Sequence, residues 1–205
     1  MAPRPDLRQR LTRLFIGLAV MGVGIACMVR SELGLAPWDV LHQGLSERTG
    51  VPLGTVTILV GVAVLALWVP LRQRPGVGTL ANAVVIGAVI DLTLAVIPHV
   101  DWTAVRWALM PAGVVALSLG SGLYIGAGLG PGPRDGLMTG LAARGPSVRL
   151  VRTGIEAGAL AAGWLLGGSV GLGTLAIALS IGPLVQFFLE RLRLPAAAPV
   201  PAAPV

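Results

Sequence analysis

The sequence predicts an all-α, polytopic membrane protein whose six transmembrane helices form two inverted three-helix repeats. Three observations predict this fold: the composition, a set of apolar runs of membrane-crossing length, and a match of the chain to itself. The 205 residues are 55% hydrophobic and 12% charged, with a mean hydropathy of +0.84. Soluble domains carry about twice that share of charged residues, so the composition is typical of a membrane protein.

Six apolar runs have the length of a membrane-crossing helix. A hydrocarbon core of about 30 Å needs roughly 20 apolar residues, and helices satisfy the backbone within lipid. The first run follows four arginines and contains Ile25-Ala26-Cys27, which resembles a lipoprotein cleavage site. The five later runs favour an uncleaved first helix over a signal peptide. The predicted spans are residues 11–29, 54–71, 78–97, 105–126, 150–167 and 173–189.

The arginines predict how the chain is oriented. Cytoplasmic segments next to membrane helices hold an excess of positive charge. With the N-terminus inside, only Arg30, Arg48 and Arg106 of the fifteen arginines fall outside. We therefore expect a multi-pass protein of the cell membrane with both termini cytoplasmic. Residues 1–10 form a basic cytoplasmic N-terminus, and residues 194–205, an Ala/Pro tail, are predicted to be disordered.

The chain matches itself at a shift of 96 residues, which becomes 95 after a one-residue gap. The repeats are residues 11–97 and 105–193, and each holds three spans. Because three is odd, the second copy enters the membrane from the opposite side, in agreement with the arginines. The polar matches that carry most weight are Pro37, Asp39, Arg48 and Thr79 with Pro133, Asp135, Arg144 and Thr174.

A Pro-x-Asp step occurs once in each repeat, in GLAPWDVLHQGL at 34–45 and GPGPRDGLMTGL at 130–141. Proline suits the first turn of a helix, and an aspartate in that turn faces the positive end of the helix dipole. The helices that follow, residues 37–47 and 133–143, span roughly half a membrane thickness. They are either half-helices whose polar starts meet near the midplane, or short helices lying flat on either surface with capping aspartates.

Ionisable residues at membrane depth are candidates for a functional site. For Asp91 the alternative is a place among the outer headgroups. For Glu156 the alternative is an ion pair with Arg152, one turn earlier. The site is asymmetric, because Arg134 matches Trp38 and Gln186 matches Asp91. The predicted substrate-binding residues are Asp39, Asp135, Asp91, Glu156, Arg134 and Trp38.

Several classes of function leave no trace in the sequence. The lone Cys27 excludes an internal disulfide, and His42 and His99 lack metal-ligand spacing. There is no P-loop, nucleophile elbow, HExxH helix or dinucleotide fingerprint. The arginines lie between apolar runs, which argues against nucleic acid as a partner. We therefore expect no enzyme, catalytic residue, cofactor or metal.

Three segments resemble a known family: LGLAPWDVLHQGLS at 33–46, PLRQRPGVGTLANAVVIGAVID at 70–91 and GWLLGGSVGLGTLAIALSIGPLVQ at 163–186. They are similar to the YczE-type family of uncharacterised bacterial integral membrane proteins, which is YitT-like in appearance. The resemblance implies a polytopic plasma-membrane protein. It supplies no substrate and no catalytic residue.

The inverted repeat favours a secondary transporter of a small molecule or ion, with its site where the repeats meet. An acidic side chain there would exchange a coupling proton, and Arg134 would hold an anionic substrate. The alternative is a non-transporting accessory or regulatory protein that recruits a cytoplasmic partner through the arginine-rich inner surface. Besides the lipid bilayer, the sequence leaves a homo-oligomer open.

Overall fold

The computed structural model describes residues 6–194, and all regular elements in that part of the chain are helices. The all-α prediction is confirmed. Residues 1–5 of the predicted basic N-terminus and residues 195–205 of the predicted tail lie outside the described residues. The helices are α1 (Leu7–Ser31), α2 (Pro37–Thr49), α3 (Leu53–Ala66), α4 (Trp68–Leu71), α5 (Val77–Val96), α6 (Thr103–Ala127), α7 (Pro133–Ala142), α8 (Val148–Leu165) and α9 (Leu172–Leu192).

Five helices are long and apolar enough to cross a membrane: α1, the continuous Leu53–Leu71, α5, α6 and α9. Their most apolar windows have mean hydropathies between 1.6 and 2.2. The segment predicted as the fifth span forms α8, but its 18 residues include Arg149, Arg152 and Glu156. Because of these charges, α8 is not one of the candidate membrane-spanning helices. The described residues thus give five candidate spans where six were predicted.

Local sequence explains where the helices begin. The Asp6 carboxylate accepts a hydrogen bond from Gln9 N at 2.7 Å and caps α1. In the first turns of α5 and α9, Thr79 and Thr174 instead reach back and accept from the backbone N–H groups of the N-cap residues Gly76 and Gly171. Proline occupies the first turn of α2 and of α7, where its missing N–H has no cost. Both Pro-x-Asp segments therefore form the short helices predicted.

The central contact of the fold is between α1 and α6, which run antiparallel. Gly17 lies against Gly120, and Gly24 lies against Gly113. A Cβ added to Gly17 would lie 2.7 Å from Gly120 O, and one added to Gly24 would lie 2.8 Å from Gly113 O. Small residues thus let the two backbones approach closely, as is usual between membrane helices.

The two Pro-x-Asp helices are packed between longer helices. Gly44 of α2 lies against α8, where an added Cβ would be 2.5 Å from Gly163 O. Gly136 of α7 lies against the ring of Trp68. The indole Nε1 of Trp68 donates to Pro133 O at 3.0 Å and fixes the start of α7. This packing favours half-helices held inside the protein over helices lying flat on its surface.

The outer helices pack differently in the two halves. In the first half, α3 lies against α5 with Gly54 opposite Gly87. The Asp91 carboxylate of α5 also accepts from Gly54 N at 2.6 Å and from Thr55 N at 2.8 Å. In the second half, no described heavy atom lies within 4 Å of a Cβ placed on Gly182 of α9. A gap therefore separates α8 from α9.

Candidate functional site

Side chains from the first turns of α2 and α7 contact each other. The Arg134 guanidinium lies over the Trp38 ring, 5.0 Å from its centroid, and Arg134 Nη2 is 3.6 Å from Asp39 Oδ1. The chain enters both helices through glycines with positive φ, 114° at Gly34 and 123° at Gly130. Such backbone suits glycine, and it turns each first helical turn inward.

A cavity of about 770 Å³ opens beside this contact. Small-molecule sites have volumes of about 300–1,000 Å³, with mostly apolar walls and a few convergent polar groups. Here the apolar wall comes largely from α1, α3, α5 and α9. The polar residues of the lining are Trp38, Asp39, His42, Thr57, Asn82, Ser121, Tyr124, Arg134, Asp135, Arg152, Glu156 and Gln186.

Three polar side chains of this lining are deeply buried: Trp38 is 8% exposed, Asp39 3% and His42 2%. Within residues 6–194, Trp38 Nε1, Asp39 Oδ1 and His42 Nε2 have no hydrogen-bond partner. Each unpartnered buried polar group costs about 1–3 kcal/mol, so native proteins keep few of them. Three such atoms on one cavity wall are typical of a binding site.

The hydrogen bonds of His42 identify which ring nitrogen accepts. The single hydroxyl proton of Thr57 is directed to Leu53 O at 2.9 Å. His42 Nδ1 lies 3.2 Å from Thr57 Oγ1 and 3.7 Å from Asp39 Oδ1, and a proton on Nδ1 suits both oxygens. In the neutral ring, Nε2 is then a buried acceptor without a hydrogen-bond partner.

Charge is unevenly distributed around the described lining. Three carboxylates, Asp39, Asp135 and Glu156, face two guanidinium groups, Arg134 and Arg152. Arg152 Nε and Glu156 Oε1 pair with each other at 2.9 Å along α8. Arg134 lies within ion-pair distance of Asp39, and Asp135 is an exposed residue of the lining. The lining carries one more negative than positive charge.

The structure brings together five of the predicted site residues and separates the sixth. Trp38, Asp39, Arg134, Asp135 and Glu156 all line the cavity. Glu156 also forms the ion pair with Arg152 that was the alternative for it. It therefore both lines the cavity and pairs along α8.

Asp91 lies outside the described lining. Its carboxylate accepts from Gly54 N, Thr55 N and Thr55 Oγ1, all within 2.9 Å, and holds the start of α3. Its counterpart Gln186 does line the cavity and donates to Glu190 Oε1 at 3.0 Å. At this matched position, Asp91 thus stabilises helix packing in the first half, and Gln186 lines the cavity in the second half.

Sequence reasoning missed His42, Thr57 and Arg152 as lining residues. His42 had a readable signal, because a residue three after Asp39 lies on the same face of a helix. Arg152 had one in its spacing to Glu156. Thr57 had none, since it contacts His42 only through the fold.

Residues 8–190 match a family of unknown function, DUF6198. This match covers most of the chain. The chain belongs to that family. This match, together with the likeness to YczE given below, confirms the YczE-type resemblance.

An uncharacterised protein of Haemophilus influenzae is 40% identical over 184 residues, 89% of this chain and 84% of that protein. The uncharacterised membrane protein YczE of Bacillus subtilis is 33% identical over 191 residues, 92% of this chain and 89% of its own length. YyaS of the same bacterium, also uncharacterised, is 29% identical over 181 residues. No solved structure matches the chain significantly. With its apolar helices, the likeness to YczE makes this DUF6198 protein an integral, multi-pass membrane protein.

Proposed function

We propose that this protein is a secondary transporter of a small molecule or ion that works by alternating access between two inverted three-helix repeats. In this proposal α8 is the sixth crossing and both termini are cytoplasmic. The observation that carries it is the cavity in which α2 and α7, one from each repeat, bring buried charges together. Transporters of this architecture bind substrate where interrupted helices of the two repeats meet.

Arginine contacts support the inverted repeat. Arg10 Nη1 donates to Ala127 O, the last residue of α6, at 2.8 Å. Arg106 Nε donates to Ser31 O, the last residue of α1, at 2.9 Å. At the shift of 96 residues, Arg10 matches Arg106 and Ser31 matches Ala127. The two contacts therefore join matching residues, with the two halves exchanged. A two-fold axis between two copies produces this exchange.

One further pair of arginine contacts obeys the same rule. Arg48 Nε donates to Leu166 O at 3.3 Å, and Arg144 Nη2 donates to Pro70 O at 2.5 Å. Both arginines thus meet the carboxyl end of a matching helix in the other half.

The backbone repeats the pattern where the halves touch. Gly173 N donates to Leu33 O at 2.7 Å, and Gly78 N donates to Leu129 O at 2.9 Å. The antiparallel course of the matching helices α1 and α6 agrees with an inverted arrangement.

The unequal packing of the outer helices supports alternating access. α3 is closed on α5, whereas the matching α8 is apart from α9, and the cavity extends into that gap. In the opposite state the matching elements exchange roles: α8 closes on α9, and α3 leaves α5. Arg152 and Gln186 border the gap on the side that the arginines assign to the cytoplasm, so this conformation is inward-open.

The alternative, an accessory protein that recruits a partner through its inner arginines, has weaker support. Several of those arginines are engaged within the protein. Arg13 Nη1 donates to Leu192 O at 2.6 Å, and Arg10 and Arg144 also donate to backbone carbonyls. Fewer charges therefore remain for a partner.

Flux measurements in proteoliposomes test the proposal. The full chain is reconstituted and screened with labelled cationic, anionic and neutral solutes and with a pH-sensitive dye. We expect flux of at least one solute class, lost in Asp39→Asn and in Asp135→Asn and kept in Asp101→Asn, a loop residue outside the described lining. Absence of flux for every class, or flux that survives both cavity changes in folded protein, contradicts the proposal.

A further inference from the structure

We infer that the cavity binds a small organic monocation with at least two N–H groups and a neighbouring hydrogen-bond acceptor, as in a primary amino alcohol. The binding surface is formed by Trp38, Asp39 and His42. This inference rests on the proposed transporter function and names the substrate class of the same cavity.

The formal charge of the lining favours a cationic ligand. With Arg152 paired to Glu156, Arg134 is the one guanidinium of the described lining left for Asp39 and Asp135, and it lies 3.6 Å from Asp39 Oδ1. A charge inside a membrane protein is costly unless it is paired, and Coulomb interactions are strong where water is scarce. A monocation neutralises the excess, whereas an anion adds a second uncompensated negative charge.

The atoms without hydrogen-bond partners determine which donors and acceptors the ligand must carry. Asp39 Oδ1 accepts, and His42 Nε2 accepts in the tautomer with the proton on Nδ1. Two acceptors without hydrogen bonds call for two N–H donors on the ligand, beside the Arg134 guanidinium whose Nη2 lies 3.6 Å from Asp39 Oδ1. Trp38 Nε1 donates only, so the ligand also needs an oxygen or nitrogen acceptor.

One face of the Trp38 ring already holds a cation, which disfavours recognition of the ligand by this ring. Aromatic cages hold quaternary ammonium groups over the ring faces. Here the Arg134 guanidinium already lies over the Trp38 ring at 5.0 Å. A cationic nitrogen beside the exposed Asp135 carboxylate can then satisfy Asp39 and His42 only through hydrogen bonds. A methylated ammonium without N–H groups cannot make them.

Binding to the purified full chain tests the inference. Isothermal titration in detergent compares ethanolamine with choline, its trimethylated analogue, with ethylene glycol as the neutral analogue and with acetate as the anion. We expect ethanolamine to bind at least about tenfold more tightly than the other three. Equal or tighter binding of choline, acetate or ethylene glycol overturns the inference, and so does a lack of saturable binding by ethanolamine and other primary amines.

Variants locate the binding. Asp39→Asn and His42→Phe should each weaken ethanolamine binding by about tenfold or more, and Asp101→Asn should leave it unchanged. Unchanged binding in folded Asp39→Asn overturns the inference. If that variant does not fold, the comparison of ethanolamine with choline on the unmodified chain still decides.

Binding and flux separate this inference from the proposed function. Selective ethanolamine binding without flux of any solute contradicts the transporter and keeps the ligand class. Flux of an anionic or neutral solute, dependent on Asp135 and without amine binding, keeps the transporter and overturns the ligand class.

Discussion

Arg134 lies over the indole ring of Trp38, and these two residues are 96 positions apart, at matching places in the internal repeat. A residue contacts its own counterpart only near the axis that relates two copies. The contact therefore places the Pro-x-Asp starts of α2 and α7 near the proposed axis. Near that axis one site can be presented to either side of the membrane.

Replacing Arg134 should destabilise the protein and impair binding. Arg134→Gln leaves Asp39 and Asp135 in the cavity without this guanidinium. Because the arginine is partly exposed, we expect a loss of about 1–3 kcal/mol in unfolding free energy. Thermal unfolding in detergent measures it, with Arg149→Gln on the exposed part of α8 as the control. An unchanged melting temperature together with unchanged flux in Arg134→Gln contradicts the assigned role.

A matched pair of glycine substitutions tests the unequal packing of the halves. Gly87→Ala introduces a methyl group against Gly54 O where α3 and α5 are closed. We expect it to lower the unfolding free energy by about 1–3 kcal/mol, as overpacking does. Gly182→Ala, at the matching position, meets no described atom within 4 Å and should have little effect. Equal effects in thermal unfolding would show that the two halves are packed alike.

Asp91 should matter for stability more than for binding. Asp91→Asn weakens the three hydrogen bonds that hold the start of α3, and we expect a loss of about 0.5–2 kcal/mol, as for other helix caps. Ethanolamine affinity should stay within about twofold of the unmodified chain, because the carboxylate lies outside the described lining. The reverse result, normal thermal stability with lost affinity, would return Asp91 to the binding site.

The order of helices was predictable from the sequence because membrane spans depend on local composition. Both Pro-x-Asp helices begin at the predicted prolines. The predicted span that is not among the five candidates, α8, differs from them by the charges of Arg149, Arg152 and Glu156.

The site was predictable where the repeat pointed to it and unpredictable where contacts are distant in the chain. Asp39 and Arg134 are matched to polar counterparts and were found. The role of Asp91 was not visible, since its partners Gly54 and Thr55 lie 37 and 36 residues earlier. The gap between α8 and α9 was not predictable either. The glycines of both halves look alike in sequence, so the difference between the halves arises only in tertiary packing.

The central claim is that matching helix pairs open and close in turn, and distances between spin labels test it most directly. In a Cys27→Ser background, one pair joins Val62 and Val84 on α3 and α5, and the matching pair joins Gly158 and Leu179 on α8 and α9. All four positions are exposed, so labels are tolerated. In lipid with a transported solute, the account predicts that the α8–α9 distance shortens as the α3–α5 distance lengthens. If neither the α3–α5 distance nor the α8–α9 distance changes under any substrate and pH condition that supports flux, the account is contradicted.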